Sequence, residues 1–208
     1  IGKVRKKVAE RGLEQRTLVL FISDNGGPTM KGTTTNGSIN KPLRGSKRTT
    51  LEGGVRVPFV LSWPERIKPG VYDQPVIQLD AHTSILAAAG VQVQPDWRLD
   101  GVDLLPYLNG QQTGAPHDAL YWRFGDQMAI RKGDYKLVRY DSNADGPVES
   151  GKRPVTEAKL YRLSDDIGEA TDLTASMPDK VTELQTAWDA WNATLVPLLW
   201  GKSRAKKL

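Results

Sequence analysis

Apolar positions at Ile1, Val4 and Val8 share one helical face, which predicts a helix over residues 1–11, with Gly12 as its stop. A denser run follows, Thr17-Leu-Val-Leu-Phe-Ile22, apolar on both faces. That pattern predicts a central strand of a parallel sheet covered on both sides. From Gly26 to Pro42 the chain is rich in Gly, Thr, Asn and Ser and has no period, so it reads as a long loop of the kind that carries function. Val55–Trp63 is a second apolar strand, and Pro58 places it at an edge or at a strand start. Leu79–Ala89 predicts a helix with Asp80 at its N-terminal end and Gly90 as its stop. Leu99–Pro106 reads as a loop with a short helical turn.

The texture changes after residue 112. Ala119–Arg123, Gln127–Arg131 and Tyr135–Tyr140 alternate as short strands, with turns at Phe124-Gly125-Asp126 and Lys132-Gly133-Asp134. Asp141–Pro154 is polar, and Lys159–Leu163 is a further short strand. Val181–Leu195, preceded by Pro178, predicts a helix with Leu184, Trp188, Trp191 and Leu195 on one face. The expected fold is therefore an α/β portion over 1–112, then a small α+β subdomain over 113–208 with an antiparallel sheet and one helix.

Composition narrows the function. With 208 residues the chain can bury a core, and its 29 basic against 24 acidic residues leave a net charge of only +5. Much of that excess lies in the two terminal segments rather than on a basic face interleaved with aromatics, which argues against nucleic-acid binding. No apolar run approaches the roughly 18 residues that span a bilayer. There is no cysteine, so disulfides, thiolate metal sites and a Cys nucleophile within the chain are excluded. The first residue is Ile and falls inside a helical pattern, which suggests a fragment of a longer protein whose leader, if any, would be missing.

Two stretches carry candidate chemistry. The apolar strand ends in Ser23-Asp24-Asn25-Gly26-Gly27. In open α/β sheets ligands bind beyond the carboxyl ends of the strands, and Asp and Asn offer oxygen ligands for a hard cation. A plain turn would use the same residues. Further on, Pro42–Phe59 holds Arg44, Lys47, Arg48 and Arg56 among small residues, a cradle for a tetrahedral anion or simply solvated surface. Glu52 and Arg56 read as a pair that holds this basic loop. His82 and His117 have no neighbours at ligand spacing and read as structural or surface residues. Trp188 and Trp191 read as packing against the small sheet.

Together, S-D-N-G-G and P-L-R-G-x-K-x-T-x-x-E-G-G-x-R-V-P resemble the sulfatase family, of the alkaline-phosphatase-like superfamily. The likeness continues through Trp63–Gly70, Leu79-Asp80 with Leu86–Gly90, Asp100–Gly110, Ala129–Val138 and Lys159–Leu163, so it covers nearly the whole chain in order. The resemblance implies part of an alkaline-phosphatase-like mixed or parallel sheet flanked by helices. It implies hydrolysis of sulfate esters, aryl or carbohydrate, by a formylglycine nucleophile and one divalent cation, Ca²⁺ with Mg²⁺ as an alternative. Asp24 and Asn25 match two metal ligands, and Lys47 matches the catalytic, substrate-binding lysine that contacts the sulfate. A periplasmic or secreted location is implied in the same way.

The departures also follow from the sequence. The one Ser-x-Pro-x-Arg string, Ser62-Trp63-Pro64-Glu65-Arg66, runs into the Trp63–Gly70 stretch of the likeness and follows the Lys47 loop, whereas the nucleophile motif of the family precedes this part. The two early aspartates and the catalytic histidine region of such enzymes, which precede this part in the family, have no counterpart here. The chain thus resembles the C-terminal portion of a sulfatase and is expected to be inactive alone. Two other readings compete: a phosphatase, phosphodiesterase or phosphonate hydrolase of the same superfamily, and a non-catalytic module binding sulfated polysaccharide through its cations.

Overall fold

The computed structural model describes residues 1–29, 37–144 and 154–198. Part of the Gly26–Pro42 loop, most of the polar stretch after Asp141 and the basic tail after Trp200 lie outside the described residues. In chain order the elements are α1 (Gly2–Glu10), β1 (Val19–Ile22), the single turn α2 (Glu52–Val55), β2 (Phe59–Ser62), α3 (Leu79–Ala88), α4 (Leu105–Leu108), β3 (Leu120–Phe124), β4 (Gln127–Lys132), β5 (Tyr135–Arg139), β6 (Lys159–Arg162) and α5 (Pro178–Ala193). They divide into two compact units, each built from two stretches of chain. One comprises Ile1–Asp24 and Pro58–Asp118; the other comprises Asn25–Val57 and the described residues from Ala119 onward.

In the first unit β1 and β2 form a two-stranded antiparallel sheet, with Val19 opposite Ser62 and Ile22 opposite Phe59. This corrects the expected mixed or parallel alkaline-phosphatase-like sheet. Both sheets among the described residues are small and antiparallel, of two and four strands. Apolar residues on both faces of β1 report a demand for cover, and they carry no information about the direction of the neighbouring strand. Here Phe21 and its cross-strand partner Val60 stay 44% and 52% exposed. Pro58 stands just before β2, where the missing N–H costs nothing, and its carbonyl accepts from Ser23 N–H at 3.3 Å.

Helix α3 organises the rest of this unit. Asp80 is fully buried and its carboxylate accepts from Ile77 N–H and Val102 N–H, each at 2.8 Å. One turn on, the buried Ser84 hydroxyl accepts from Leu104 N–H at 2.9 Å. An i, i+4 pair thus fastens the 102–104 segment along one face of the helix. His117 joins the same carboxylate, Nε2 lying 2.8 Å from Asp80 Oδ1, so it has the structural role expected of it. His82 is exposed.

The second unit is built on the sheet β3-β4-β5-β6, antiparallel throughout. Both hairpin turns use glycine at positive φ, Gly125 and Gly133, each at +57°. Alternation sorts side chains to two faces. Met128, Ile130, Leu137 and Leu160 point to one side and pack with Leu184 of α5. Ala129, Val138 and Tyr161 point to the other and pack with Leu51. The basic-loop segment therefore covers one face of this sheet and α5 covers the other. Pro178 occupies the first turn of α5, where its missing N–H is harmless, so the helix begins there rather than at Val181. Trp188 Nε1 donates to Trp122 O at 3.2 Å, and Trp191 stacks on Tyr121 at 5.0 Å between ring centroids.

Candidate functional site: the glycine-packed turn and its buried charges

Asp24 and Asn25 follow β1, and the division between the two units falls at the bond joining them. Within the first unit Asp24 is exposed, and the carbonyls of Ser23 and Asp24 both accept from Gln78 Nε2, at 2.6 and 3.0 Å. The amide of Gln78, the residue before α3, thereby fixes the backbone that presents the carboxylate.

Within the second unit the glycines explain themselves. Gly26 N–H donates to Gly54 O at 2.9 Å, and a Cβ on Gly26 would lie 1.7 Å from Gly53 O. The Gly26-Gly27 corner and the Gly53-Gly54 corner are therefore in backbone-to-backbone contact, which only glycine permits. Asn40 completes the joint: its Oδ1 accepts from Gly27 N–H at 3.0 Å, and its Nδ2 donates to Gly27 O at 2.7 Å and Gly45 O at 3.0 Å. Asn25 donates through Nδ2 to Gly26 O at 3.1 Å, which commits its amide nitrogen to the corner.

Lys47 sits on a tight turn, Ser46-Lys47-Arg48-Thr49. It is closed by Thr49 N–H to Ser46 O at 3.1 Å and by Thr49 Oγ1 to the same carbonyl at 2.8 Å. The turn is tied to the metal-ligand candidate's neighbour by Lys47 N–H to Gly27 O at 3.4 Å. The Lys47 side chain is exposed. Arg48 is exposed as well, and Arg44 is turned inward, its guanidinium 5.0 Å from the Tyr140 ring and donating to Glu169 O.

Below this turn lies a buried charge cluster. Glu52 pairs with Arg56 as expected, at 3.4 Å. It pairs more closely with Lys136, fully buried on β5, whose Nζ is 2.8 Å from Glu52 Oε1 and 2.9 Å from Glu169 Oε1. Glu169 Oε2 also accepts Glu52 N–H at 2.7 Å, capping the first turn of α2. Burial alone would raise the Glu52 carboxyl. The ammonium of Lys136, with the guanidinium groups of Arg56 and Arg131, outweighs it and holds Glu52 below the ordinary value of 4.5. For Glu169 burial wins, and its carboxyl is pushed above the same value despite Lys136. Of the two carboxylates around this ammonium, Glu52 has Arg56 as a second cation, and Glu169 is the one that protonates more readily.

Asn40, Gln127, Lys136 and Glu169 are absent from the sequence-based site. The cluster joins residues 84 and 117 positions apart, a separation at which no local spacing rule operates. One signal was present: alternation along Tyr135-Lys136-Leu137-Val138 puts Lys136 on the same inward face as Val138.

A cation would find oxygen donors of the right hardness in Asp24 and Asn25. Among the described residues, however, no three Asp, Glu, His or Cys side chains gather as a metal-holding group.

Residues 1–91 match the Sulfatase family model. Arylsulfatase A of Bos taurus is 35% identical over 198 residues, which is 88% of this chain and 38% of that protein. The crystal structure of Ps i-CgsB is 25% identical, with a TM-score of 0.76 over 97% of this chain and 42% of that one. The crystal structure of the PsFucS1 sulfatase from Pseudoalteromonas sp. is 26% identical, with a TM-score of 0.74 over 93% and 40%. This chain is homologous to proteins of the sulfatase superfamily. It spans little more than a third of the length of the arylsulfatase it matches.

Proposed function

We propose that this chain is the C-terminal portion of a sulfatase, contributing part of the site at which a sulfate ester, aryl or carbohydrate, is hydrolysed. Asp24 and Asn25 supply two oxygen ligands to a divalent cation, Ca²⁺ or Mg²⁺. Lys47 binds the sulfuryl oxygens. The formylglycine nucleophile and the remaining ligands belong to sequence preceding residue 1, so the chain alone does not turn over substrate. Residues 1–112 belong to the catalytic part and 113–208 to the appended subdomain of that longer protein, which acts in the periplasm or outside the cell.

The observation that carries this reading is the joint itself. Asn40 and the facing glycine pairs bind the corner after Asn25 to the loop that bears Lys47. A lysine whose backbone is held in a closed turn brings a point charge to an oxyanion from a fixed base. The cation, when bound, supplies Lewis-acid stabilisation of the same charge. The test compares the 208-residue chain with the longer protein encoded around it, using 4-nitrophenyl sulfate. Turnover by the longer protein, abolished in Lys47→Ala and absent in the short chain, is the expected result. Wild-type turnover by the Lys47→Ala protein would refute the assignment.

A further inference from the structure

The turn that carries Lys47 is strained where it need not be. Lys47 and Arg48 are the central residues of a four-residue turn, and Arg48 has φ of +76° while Lys47 keeps a negative φ. A type II turn demands a positive φ at that third position and normally takes Gly or Asn there. A non-glycine residue in this region persists only where its surroundings over-determine it.

Thr49 Oγ1 closes the turn from within, and one side chain from a distant element holds it from outside. The Gln127 amide donates through Nε2 to Arg48 O at 2.9 Å, and its Oε1 accepts from Thr50 N–H at 3.3 Å. It therefore grips the chain on both sides of Thr49, as a neighbouring strand would. The same Oε1 accepts from Asp141 N–H at 3.1 Å, and the residue is only 7% exposed. Gln127 is itself held rigidly, since it opens β4 directly after the Gly125-Asp126 hairpin turn and lies opposite Phe124.

We propose that Gln127 is a positioning residue for Lys47: through the backbone at Arg48 and Thr50 it fixes the turn that aims the ammonium at the substrate anion. This rests on the sulfatase reading of Lys47 and adds a residue to it. Gln127 touches no substrate, so its effect passes entirely through Lys47.

Two measurements test it. In the 208-residue chain, hydrogen exchange of the 46–51 segment should quicken at least roughly tenfold in Gln127→Ala, while exchange in α5 stays unchanged. In the longer protein, with 4-nitrophenyl sulfate, Gln127→Ala should lower kcat/KM at least roughly tenfold, since small misplacements of a catalytic group have effects of that order. The same change made in Lys47→Ala should matter less than about twofold, because the group it positions is gone. Arg48→Gly added to Gln127→Ala should restore most of the activity, because glycine holds the positive φ without the clamp. Trp188→Phe, which removes a hydrogen bond between α5 and β3, should lower Tm and leave kcat/KM unchanged.

Equal losses on Gln127→Ala with Lys47 present and with Lys47 removed would overturn the proposal, as would unchanged exchange at 46–51. If turnover without Lys47 is too slow to read, failure of Arg48→Gly to rescue overturns it instead. Full activity of Lys47→Ala would remove the underlying site reading, and the exchange result would then report a purely structural clamp.

Discussion

Lys136 is the residue on which most charge depends. It is fully buried, with two glutamates at ion-pair distance. Removing one partner of a buried ion pair costs about 3–5 kcal/mol, because the remaining charge stays unpaired in a poorly solvated place. Lys136→Met leaves two buried carboxyl groups facing each other, and the expected loss of unfolding free energy is in that range by urea titration. Adding Glu52→Gln and Glu169→Gln should recover most of it; a triple variant no better than the single would show that packing, not charge, is at stake. At Gly26 the argument is steric. A Cβ there meets Gly53 O at 1.7 Å, so Gly26→Ala must push two backbone corners apart, at a cost of about 3 kcal/mol or more. Gly70 offers the comparison: no atom lies within 4 Å of a Cβ there, and Gly70→Ala should stay within about 0.5 kcal/mol of the parent. Equal thermal shifts in the two variants would contradict the packed-glycine account.

At the scale of elements, local rules served where contacts are local. The strands from Leu120 to Arg139 and their glycine turns lie where alternation and Gly-Asp pairs put them, because hairpin register is decided within a few residues. The Asn25-Gly26-Gly27 and Arg44–Arg56 motifs are also visible in the sequence, but their mutual packing is not. It depends on Asn40 and on backbone approach of glycines, neither of which has a periodicity. The antiparallel partner of β1 was not legible either, because a two-sided apolar run is indifferent to the sense of its neighbour. Likewise the loop over 99–106 gave no hint that its amides run along α3. That attachment is directly testable. Asp80→Ala deletes the acceptor for Ile77 N–H and Val102 N–H and the partner of His117 together. Each hydrogen bond to a charged group is worth about 1.5–3 kcal/mol, so a loss of about 3 kcal/mol or more is expected, with faster amide exchange at 101–104. Exchange there at the parent rate would show that the apolar packing of Leu104 suffices by itself.

For the molecule as a whole, the same buried cluster sets how stability responds to pH, and the two glutamates act with opposite sign. Glu52 titrates below 4.5 in the fold because of Lys136, so its contribution is complete above 4.5 and is lost as pH falls through its folded value. Glu169 titrates above 4.5 because it is buried, so its contribution is complete below 4.5 and is lost as pH rises through its folded value. Just above pH 4.5 the native state therefore holds a proton at Glu169 that the unfolded chain has released. The slope contributed there is at most about 1.4 kcal/mol per pH unit, towards lower stability as pH rises. Glu169→Gln removes this group while keeping an oxygen for Glu52 N–H and leaving Lys136 paired one-to-one with Glu52. Other titrating groups are common to both proteins, so the difference between their unfolding free energies isolates Glu169. That difference should move in favour of the variant as pH rises from 4.5, then level off once Glu169 is ionised in both states. A flat difference across this range would mean that Glu169 stays ionised beside Lys136, with Arg56 balancing Glu52.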